Sequence, residues 1–319
     1  MPKAIITDGF AVNPGDLSWE PISKICDLRV YEKLTDEEAA ELIEDAECIF
    51  TNRTKITRNV LEQHPAVKFI SAMGTGFDMI DIEACKEKEI TVCNVPGYST
   101  PSVAQVAFAL LLNTAFDLNG FASSVKNGKW TGMPGFHFEH YRFTELAGKT
   151  IGIFGCGSIG TKMAKICKSF DMRVLATKKS RTSGNEDGIE FTSPDDLLHN
   201  SDFVSIHCPL NNETRGMVDK NFISKMKDGA VLINTSRGAV LNEQDVADAL
   251  FRGKLSGLGV DVLATEPPVP DNPLLSAPNT IISPHCAWTS KEARIRLIDC
   301  LAKNLNEYIA GQKPSNSVI

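Results

Sequence analysis

A glycine-rich loop near the middle of the chain constrains the fold more than any other feature. It reads Gly155-Cys156-Gly157-Ser158-Ile159-Gly160, follows a β-branched run at residues 150–154, and opens a stretch whose apolar residues keep helical spacing. Three glycines in this context permit a tight turn, a close backbone approach to phosphates and close packing of the helix on the strand. A plain glycine turn is the alternative. We predict a βαβ unit over residues 150–177 that holds the pyrophosphate of a nicotinamide dinucleotide at its helix N-terminus.

The residues after the second strand of this unit indicate which dinucleotide binds. Enzymes that use NAD usually place Asp or Glu there, about 20 residues after the loop, to bind the ribose 2′-hydroxyl. This chain has Thr177-Lys178-Lys179-Ser180-Arg181 instead. Three cations and two hydroxyls favour a 2′-phosphate, so we predict a preference for NADPH, with NAD use possible. A solvated basic loop is the alternative, because exposed lysine is common.

The pattern along the chain predicts parallel sheets, because β-branched runs alternate with helical stretches. A length of 319 residues suffices for two domains, since single cores rarely exceed about 250 residues. A first series of runs lies at residues 4–7, 48–51, 69–73 and 90–93. Thr35 and Glu38 form a capping box that opens a helix ending near residue 44.

A break with two prolines and a glycine at residues 94–101 separates this series from a long apolar helix that begins near Ser102. The second series lies at residues 150–154, 173–177, 203–207, 231–234, 258–262 and 280–283. One amphipathic helix over residues 291–308 follows, and we expect it to pack on the first domain.

Composition disfavours several classes of function. A net charge of −7 argues against a nucleic-acid-binding surface. The most apolar run, residues 103–116, is shorter than the about 20 apolar residues that cross a bilayer, and Met1-Pro2-Lys3-Ala4 lacks the apolar core of a signal peptide. Nine scattered cysteines without a Cys-x-x-Cys pair predict reduced thiols, no metal site and a cytoplasmic protein. Four of them act as small hydrophobes: Cys48, Cys85, Cys93 and Cys167.

Polar residues follow the strands of the second series, at the edge where ligands bind to open α/β sheets. They are His207-Cys208-Pro209, Thr235-Ser236-Arg237-Gly238, Asp261 with Glu266 shortly beyond, and Pro284-His285-Cys286. Arginine, glutamate and histidine at three strand ends suffice for the reduction of a ketone. His285 is the candidate donor of the proton to the developing alkoxide. Glu266 would favour the imidazolium form, and Arg237 offers a fork of donors to a carboxylate or an oxyanion.

Each assignment has an alternative. His207 also ends a strand and competes with His285 for the role of acid. Arg237 and Glu266 would form an ordinary surface ion pair if no site existed, worth about 0 to 1 kcal/mol. The four other histidines are expected at the surface: His64, His137, His140 and His199.

Four motifs occur along the chain: residues 155–160, residues 234–238, Asp261 with Glu266, and Ser283-Pro284-His285. In these motifs the chain resembles the D-2-hydroxyacid dehydrogenase family, and the resemblance covers essentially its whole length. The resemblance implies two Rossmann-like or flavodoxin-like doubly wound α/β domains around a cleft, with the dinucleotide-binding domain (residues 100–288) inserted into a substrate domain (residues 1–99 plus 289–319). It also implies a homodimer formed through the cofactor domain.

The resemblance implies roles for individual residues. Arg237 binds substrate, His285 is the acid/base and Glu266 is its partner. The backbone N–H groups of Thr75 and Gly76, in Met73-Gly74-Thr75-Gly76, hold the substrate carboxylate. The cofactor contacts are Ser158 and Ile159 on the pyrophosphate, Cys208, Pro209 and Thr235 along the cofactor, and Asp261 near the nicotinamide carboxamide. Lys178 stands where many members that use NAD have Asp.

Within the family, residues 94–100 and His285-Cys286-Ala287-Trp288 look most like the glycerate dehydrogenase and hydroxypyruvate reductase branch. The expected reaction is the reduction of a small 2-keto acid to the D-2-hydroxy acid, from hydroxypyruvate to glycerate and from glyoxylate to glycolate. The alternatives are a D-3-phosphoglycerate or D-lactate dehydrogenase, and a cofactor-sensing corepressor on the same fold.

Overall fold

Two β-sheets, one in each of two units, organise the chain. The computed structural model describes residues 1–131, 143–181 and 183–319. One unit comprises Met1–Ser99 and Trp288–Ile319, and the other comprises Thr100–Ala287. The second unit is therefore inserted into the first, and the chain returns one residue before the boundary that we placed after residue 288.

The first unit is a five-stranded parallel sheet in the order β2-β1-β3-β4-β5, the flavodoxin-like doubly wound order. Its strands are β1 (Lys3–Ile6), β2 (Asp27–Val30), β3 (Cys48–Thr51), β4 (Phe69–Ala72) and β5 (Thr91–Cys93). Its first four helices are α1 (Glu20–Ser23), α2 (Asp36–Leu42), α3 (Arg58–Gln63) and α4 (Ile82–Glu87). Apolar clusters cover both faces, so the central strands are buried on both sides.

The capping box that opens α2 is confirmed. The Thr35 hydroxyl accepts a hydrogen bond from the Glu38 N–H at 3.1 Å, and the Glu38 carboxylate accepts one from the Thr35 N–H at 2.8 Å. The C-terminal helix, α11 (Lys291–Ile309), also packs where we expected it. Its apolar face, which includes Leu297 and Leu301, joins the core of the first unit.

The second unit is an eight-stranded sheet in the order β13-β12-β11-β10-β6-β7-β9-β8. Its strands are β6 (Thr150–Phe154), β7 (Arg173–Thr177), β8 (Gly184–Glu186), β9 (Ile189–Phe191), β10 (Phe203–Ile206), β11 (Ala230–Asn234), β12 (Leu255–Val260) and β13 (Thr280–Ile282). Its helices are α5 (Thr100–Ala115), α6 (Leu118–Lys126), α7 (Ser158–Lys168), α8 (Pro194–Asn200), α9 (Lys220–Lys225) and α10 (Glu243–Phe251). The strand order reverses between β6 and β10, which is the switch point where doubly wound sheets bind dinucleotides.

Three strands were missing from our sequence analysis. β2 is an edge strand with charges at alternate positions, and two of its four residues are exposed. β8 pairs antiparallel with β9 through Asp187 and Gly188, both at positive φ. An Asp-Gly pair between two short runs is typical of a tight hairpin, so this pair was a usable signal.

Buried polar and thiol side chains test two further predictions. His64 was expected at the surface, which is wrong: it is 8% exposed, and its ring nitrogens lie 2.7 and 3.1 Å from the carbonyl oxygens of Ala40 and Glu44. His199 is exposed as expected, and His137 and His140 lie outside the described residues.

The four cysteines predicted to be small hydrophobes are buried, and burial raises the pKa of each to about 12. Within the described ranges, none of the helices is both long and apolar enough to cross a bilayer.

Candidate active site

Each of the three glycines in the loop after β6 has different surroundings. Gly155 has φ +96°, and a Cβ there would lie 2.6 Å from the Cys208 backbone nitrogen. A Cβ on Gly160 would lie 2.6 Å from the Gly155 carbonyl oxygen, so this glycine lets α7 pack against the loop. No described atom lies within 4 Å of the Cβ position of Gly157. The open space at the second glycine is where a ligand's phosphates could approach the backbone.

The N-terminus of α7 faces this open space with unused donors. Gly157 is the N-cap residue and offers no side-chain cap, so the first N–H groups of the helix are left for a ligand. Gly157 and Ser158 are exposed. Cys208 and Pro209 follow β10 and adjoin the loop through the close approach of Cys208 to Gly155. These residues therefore fit a dinucleotide's pyrophosphate.

The end of β7 carries the basic residues that we assigned to the cofactor. Lys178, Lys179 and Ser180 are exposed. The guanidinium carbon of Arg181 lies 4.4 Å from the centre of the Phe191 ring, and its Nη1 pairs with Glu186. Lys179 lies 2.9 Å from Glu213, in a pair whose side chains are 88% and 71% exposed. Stacking fixes Arg181, whereas the lysines remain in solvent.

The end of β7 is hydrogen-bonded directly to the glycine loop. The Thr177 hydroxyl accepts a hydrogen bond from the Gly155 N–H at 3.2 Å, and its carbonyl accepts one from the Cys156 N–H at 2.8 Å. The loop and the basic segment are thus held on neighbouring strands.

His285 and Glu266 come together after β13 and β12. The His285 Nδ1 lies 2.6 Å from the Glu266 carboxylate, with the side chains 28% and 26% exposed. The other Glu266 oxygen accepts a hydrogen bond from the Leu263 N–H at 3.0 Å, so the carboxylate is oriented from both sides. Because Nδ1 is taken by Glu266, Nε2 is the nitrogen left for a substrate.

Asp261 organises the segment that carries His285. It is 1% exposed. Its carboxylate accepts hydrogen bonds from the Ser283 hydroxyl at 2.6 Å and from the backbone N–H groups of Cys286 and Ala287 at 3.0 and 2.9 Å. Its carbonyl accepts one from the His285 N–H at 2.8 Å. We had assigned Asp261 to the cofactor only, and its support of this loop is an additional role that spacing along the sequence did not reveal.

Arg237 lies on the loop after β11, half-buried, and its Nη1 donates to the Ser236 carbonyl at 2.9 Å. Asn234 shapes this loop, because its side chain donates to the Arg237 carbonyl at 2.9 Å and accepts from the Ser236 N–H at 2.9 Å. A Cβ on Gly238 would lie 1.9 Å from the Leu263 carbonyl carbon. Only glycine at this position lets the Arg237 loop pack against the loop that carries Glu266.

Thr235, at the start of the same loop, has a buried hydroxyl without a hydrogen-bond partner among the described residues. A buried hydroxyl without a partner is costly, so it marks a place where an additional polar group would be stabilising. This observation agrees with a ligand beside the loop.

His207 is a poor competitor for the role of acid. Its Nε2 lies 2.9 Å from the Ser205 hydroxyl rather than from a carboxylate. Burial lowers the pKa of His207 to about 4, so the ring is neutral near neutral pH. His285, which has a carboxylate partner, is better suited to donating a proton.

Hydrogen bonds fix the loop after β4 in a conformation in which the backbone N–H groups of Thr75 and Gly76 are available to a ligand. The Thr75 hydroxyl donates to the Val95 carbonyl at 3.0 Å, and the Asn94 side chain donates to the Thr75 carbonyl at 2.7 Å. In the described part of the chain, the N–H groups of Thr75 and Gly76 have no partner. Two adjacent unpaired donors fit a carboxylate.

Two residues that support this loop were missed in the sequence. The Asn52 side chain donates to the Met73 carbonyl at 2.7 Å. Asp8, which is 5% exposed, accepts hydrogen bonds from the backbone N–H groups of Asn52 and Arg53 at 2.8 and 2.5 Å. Residues 8, 52 and 73 are far apart in the sequence, so only the strand order brings them together.

The chain is similar to known proteins in both sequence and structure. Residues 108–287 match the model of the D-isomer specific 2-hydroxyacid dehydrogenase NAD binding domain. The chain is 42% identical to a hydroxypyruvate reductase of Blautia hydrogenotrophica over 99% of both chains. It is 35% identical to a glyoxylate reductase of Aeropyrum pernix over 94% of this chain and 91% of that one. Among solved structures, it resembles an acyclic imino acid reductase in complex with NADPH and D-Arg, with a TM-score of 0.87, 30% identity, and coverage of 99% and 100% of the two chains.

Proposed function

The chain belongs to the D-isomer specific 2-hydroxyacid dehydrogenase family, and we propose that it reduces hydroxypyruvate to D-glycerate, with glyoxylate as a second substrate. Membership makes it an oxidoreductase that uses a nicotinamide cofactor. The observation that carries the proposal is the pair formed by His285 Nδ1 and the Glu266 carboxylate at 2.6 Å, on a loop fixed by Asp261. The high identity to a hydroxypyruvate reductase supports the choice of substrate.

Each residue of the proposed site has a separate role in the reduction of the keto acid. A bound nicotinamide supplies the hydride that reduces the carbonyl carbon. His285 donates the proton from Nε2 to the carbonyl oxygen, and Glu266 orients the ring through its contact with Nδ1. Arg237 binds the substrate through its guanidinium, and the N–H groups of Thr75 and Gly76 bind its carboxylate. Asp261 holds the His285 loop and would lie near the nicotinamide carboxamide of a bound cofactor.

A panel of 2-keto acids tests the substrate. We expect kcat/KM to be highest for hydroxypyruvate, next for glyoxylate, and at least about 10-fold lower for pyruvate and phosphohydroxypyruvate. A clear preference for pyruvate or phosphohydroxypyruvate would contradict the proposal in favour of a lactate or phosphoglycerate dehydrogenase. Cofactor binding without turnover of any keto acid would instead indicate a cofactor-sensing protein.

The basic segment after β7 supports a preference for NADPH over NADH. Lys178 and Lys179 are exposed where a 2′-phosphate would bind, and Arg181 is held beside them by the Phe191 ring. A phosphate gains charge-assisted hydrogen bonds from such cations.

We therefore expect kcat/KM to be at least about 10-fold higher with NADPH than with NADH, and Lys178→Asp to remove most of that preference. Lys220→Asp, the same charge change at an exposed position in α9, is the control and should leave the ratio unchanged. A wild-type protein that strongly prefers NADH would contradict this assignment.

An exposed apolar surface on the second unit supports a homodimer. It comprises Leu118, Val125, Trp130 and Phe143, which are 53%, 44%, 60% and 73% exposed. The Phe116 ring contacts the Phe143 ring at a tilt of 51°, with ring centres 4.8 Å apart, which extends the surface. An exposed apolar surface of this kind is typical of an interface, and we propose that a second copy of the chain covers it.

The double variant Leu118→Glu/Trp130→Glu should convert the dimer into a monomer, because two charges would be buried without partners in the interface. Analytical ultracentrifugation measures the mass. Phe251→Glu, at a residue 62% exposed at the end of α10, is the matched control and should remain dimeric. A monomeric wild-type protein would contradict the proposal.

A further inference from the structure

A hydrogen bond joins the two ends of the inserted unit. The Ser102 hydroxyl donates to the Ala287 carbonyl at 2.5 Å, across 185 residues of sequence. Ser102 lies in the first turn of α5, near the first residue of the inserted unit, Thr100. Ala287 is the last residue of that unit. Both residues are buried. The bond therefore fixes the end of the segment that carries His285.

The same segment has an unusual backbone at its centre. His285 has φ +53°. A bulky residue in this left-handed region is strained, and it persists only where the surroundings determine it strongly. Asp261 supplies part of that restraint through its bonds to Ser283, Cys286 and Ala287.

Ala287 links the two restraints. Its N–H donates to the Asp261 carboxylate at 2.9 Å, and its carbonyl accepts from Ser102. Asp261, which follows β12, accepts hydrogen bonds from the segment, whereas Ser102 of α5 donates one to its last residue, Ala287. Without Ser102, Ala287 would keep only its amide bond to Asp261 among the hydrogen bonds described above, and His285 would be less restrained.

We propose that Ser102 is a positioning residue for His285, acting through Ala287 and the Asp261 carboxylate. The inference rests on the proposed role of His285 as the acid. Ser102 does not touch the substrate; it holds the loop so that Nε2 of His285 stays where the proton is needed. Its loss should therefore lower kcat and leave the KM for NADPH unchanged, because the glycine loop that binds the pyrophosphate does not depend on it.

Ser102→Ala tests the proposal, with Ser201→Ala as the matched control. The Ser201 side chain is also buried, and its hydroxyl also donates to a backbone carbonyl, that of Leu197, at 2.6 Å. Both variants remove one buried hydroxyl from the same unit. We expect Ser102→Ala to lower kcat for hydroxypyruvate by about 10-fold with KM for NADPH unchanged, and Ser201→Ala to keep the wild-type kcat.

Ser102→Thr keeps the donor and should recover most of the lost kcat, even if the alanine variant also has a lower melting temperature. An equal kcat for Ser102→Ala and Ser201→Ala would overturn the inference, as would a Ser102→Thr variant no better than Ser102→Ala. His285→Ala, measured in parallel, separates the two claims: a fully active variant would overturn the role of His285 as the acid together with the inference. If His285→Ala is inactive while Ser102→Ala equals its control, only the inference fails.

Discussion

His285→Ala is expected to lower kcat for hydroxypyruvate by about 10³-fold, the range observed when a general acid is removed. The alkoxide formed by hydride addition needs a proton, and after the substitution water must supply it. The KM for NADPH should not change, because the glycine loop and the basic segment after β7 do not involve His285. Steady-state rates of NADPH oxidation measure both quantities.

His199→Ala is the matched control for this variant. His199 is an exposed histidine of α8 in the same unit, and its Nδ1 lies 2.8 Å from the Asp195 carbonyl oxygen of its own helix. This control should retain wild-type kcat. An active His285→Ala variant would contradict the assignment of the acid, all the more if His207→Asn were inactive instead.

Arg237→Ala should lower kcat/KM for hydroxypyruvate by about 10²- to 10³-fold, the range observed when a single group that stabilises charge in the transition state is removed. A guanidinium can offer two parallel donors to a carboxylate and an ammonium cannot, so Arg237→Lys should recover only a small part of the loss. Arg252→Ala, at an exposed arginine just after α10 that pairs with Asp248, is the control and should be unaffected. An Arg237→Lys variant as active as the wild type would show that charge alone, not the fork of donors, matters at this position.

The sequence predicted the parts of the site that depend on local pattern. The glycine loop was recognisable because a strand, a turn and a helix follow one another within a few residues. His285 and Glu266 were paired because residues after parallel strands lie at the same edge of a sheet. The observed separation of 2.6 Å between His285 and Glu266 agrees with that rule.

The sequence did not reveal features that depend on tertiary contacts. Ser102 and Ala287 are separated by 185 residues, and no periodicity links them. The left-handed backbone of His285 is likewise set by its surroundings, since histidine has no intrinsic preference strong enough to require it. His64 was misassigned because a polar side chain at a helix end can point outward or contact the carbonyl groups at the end of a neighbouring helix, and only packing decides between the two.

The product formed from hydroxypyruvate distinguishes the proposed reaction from its alternatives. Incubation with NADPH, followed by chiral separation of the glycerate, reports the activity and its stereochemistry together. The proposed function predicts D-glycerate alone, formed in equal amount to the NADPH oxidised. L-glycerate, or no oxidation of either NADPH or NADH in the presence of hydroxypyruvate, would contradict it.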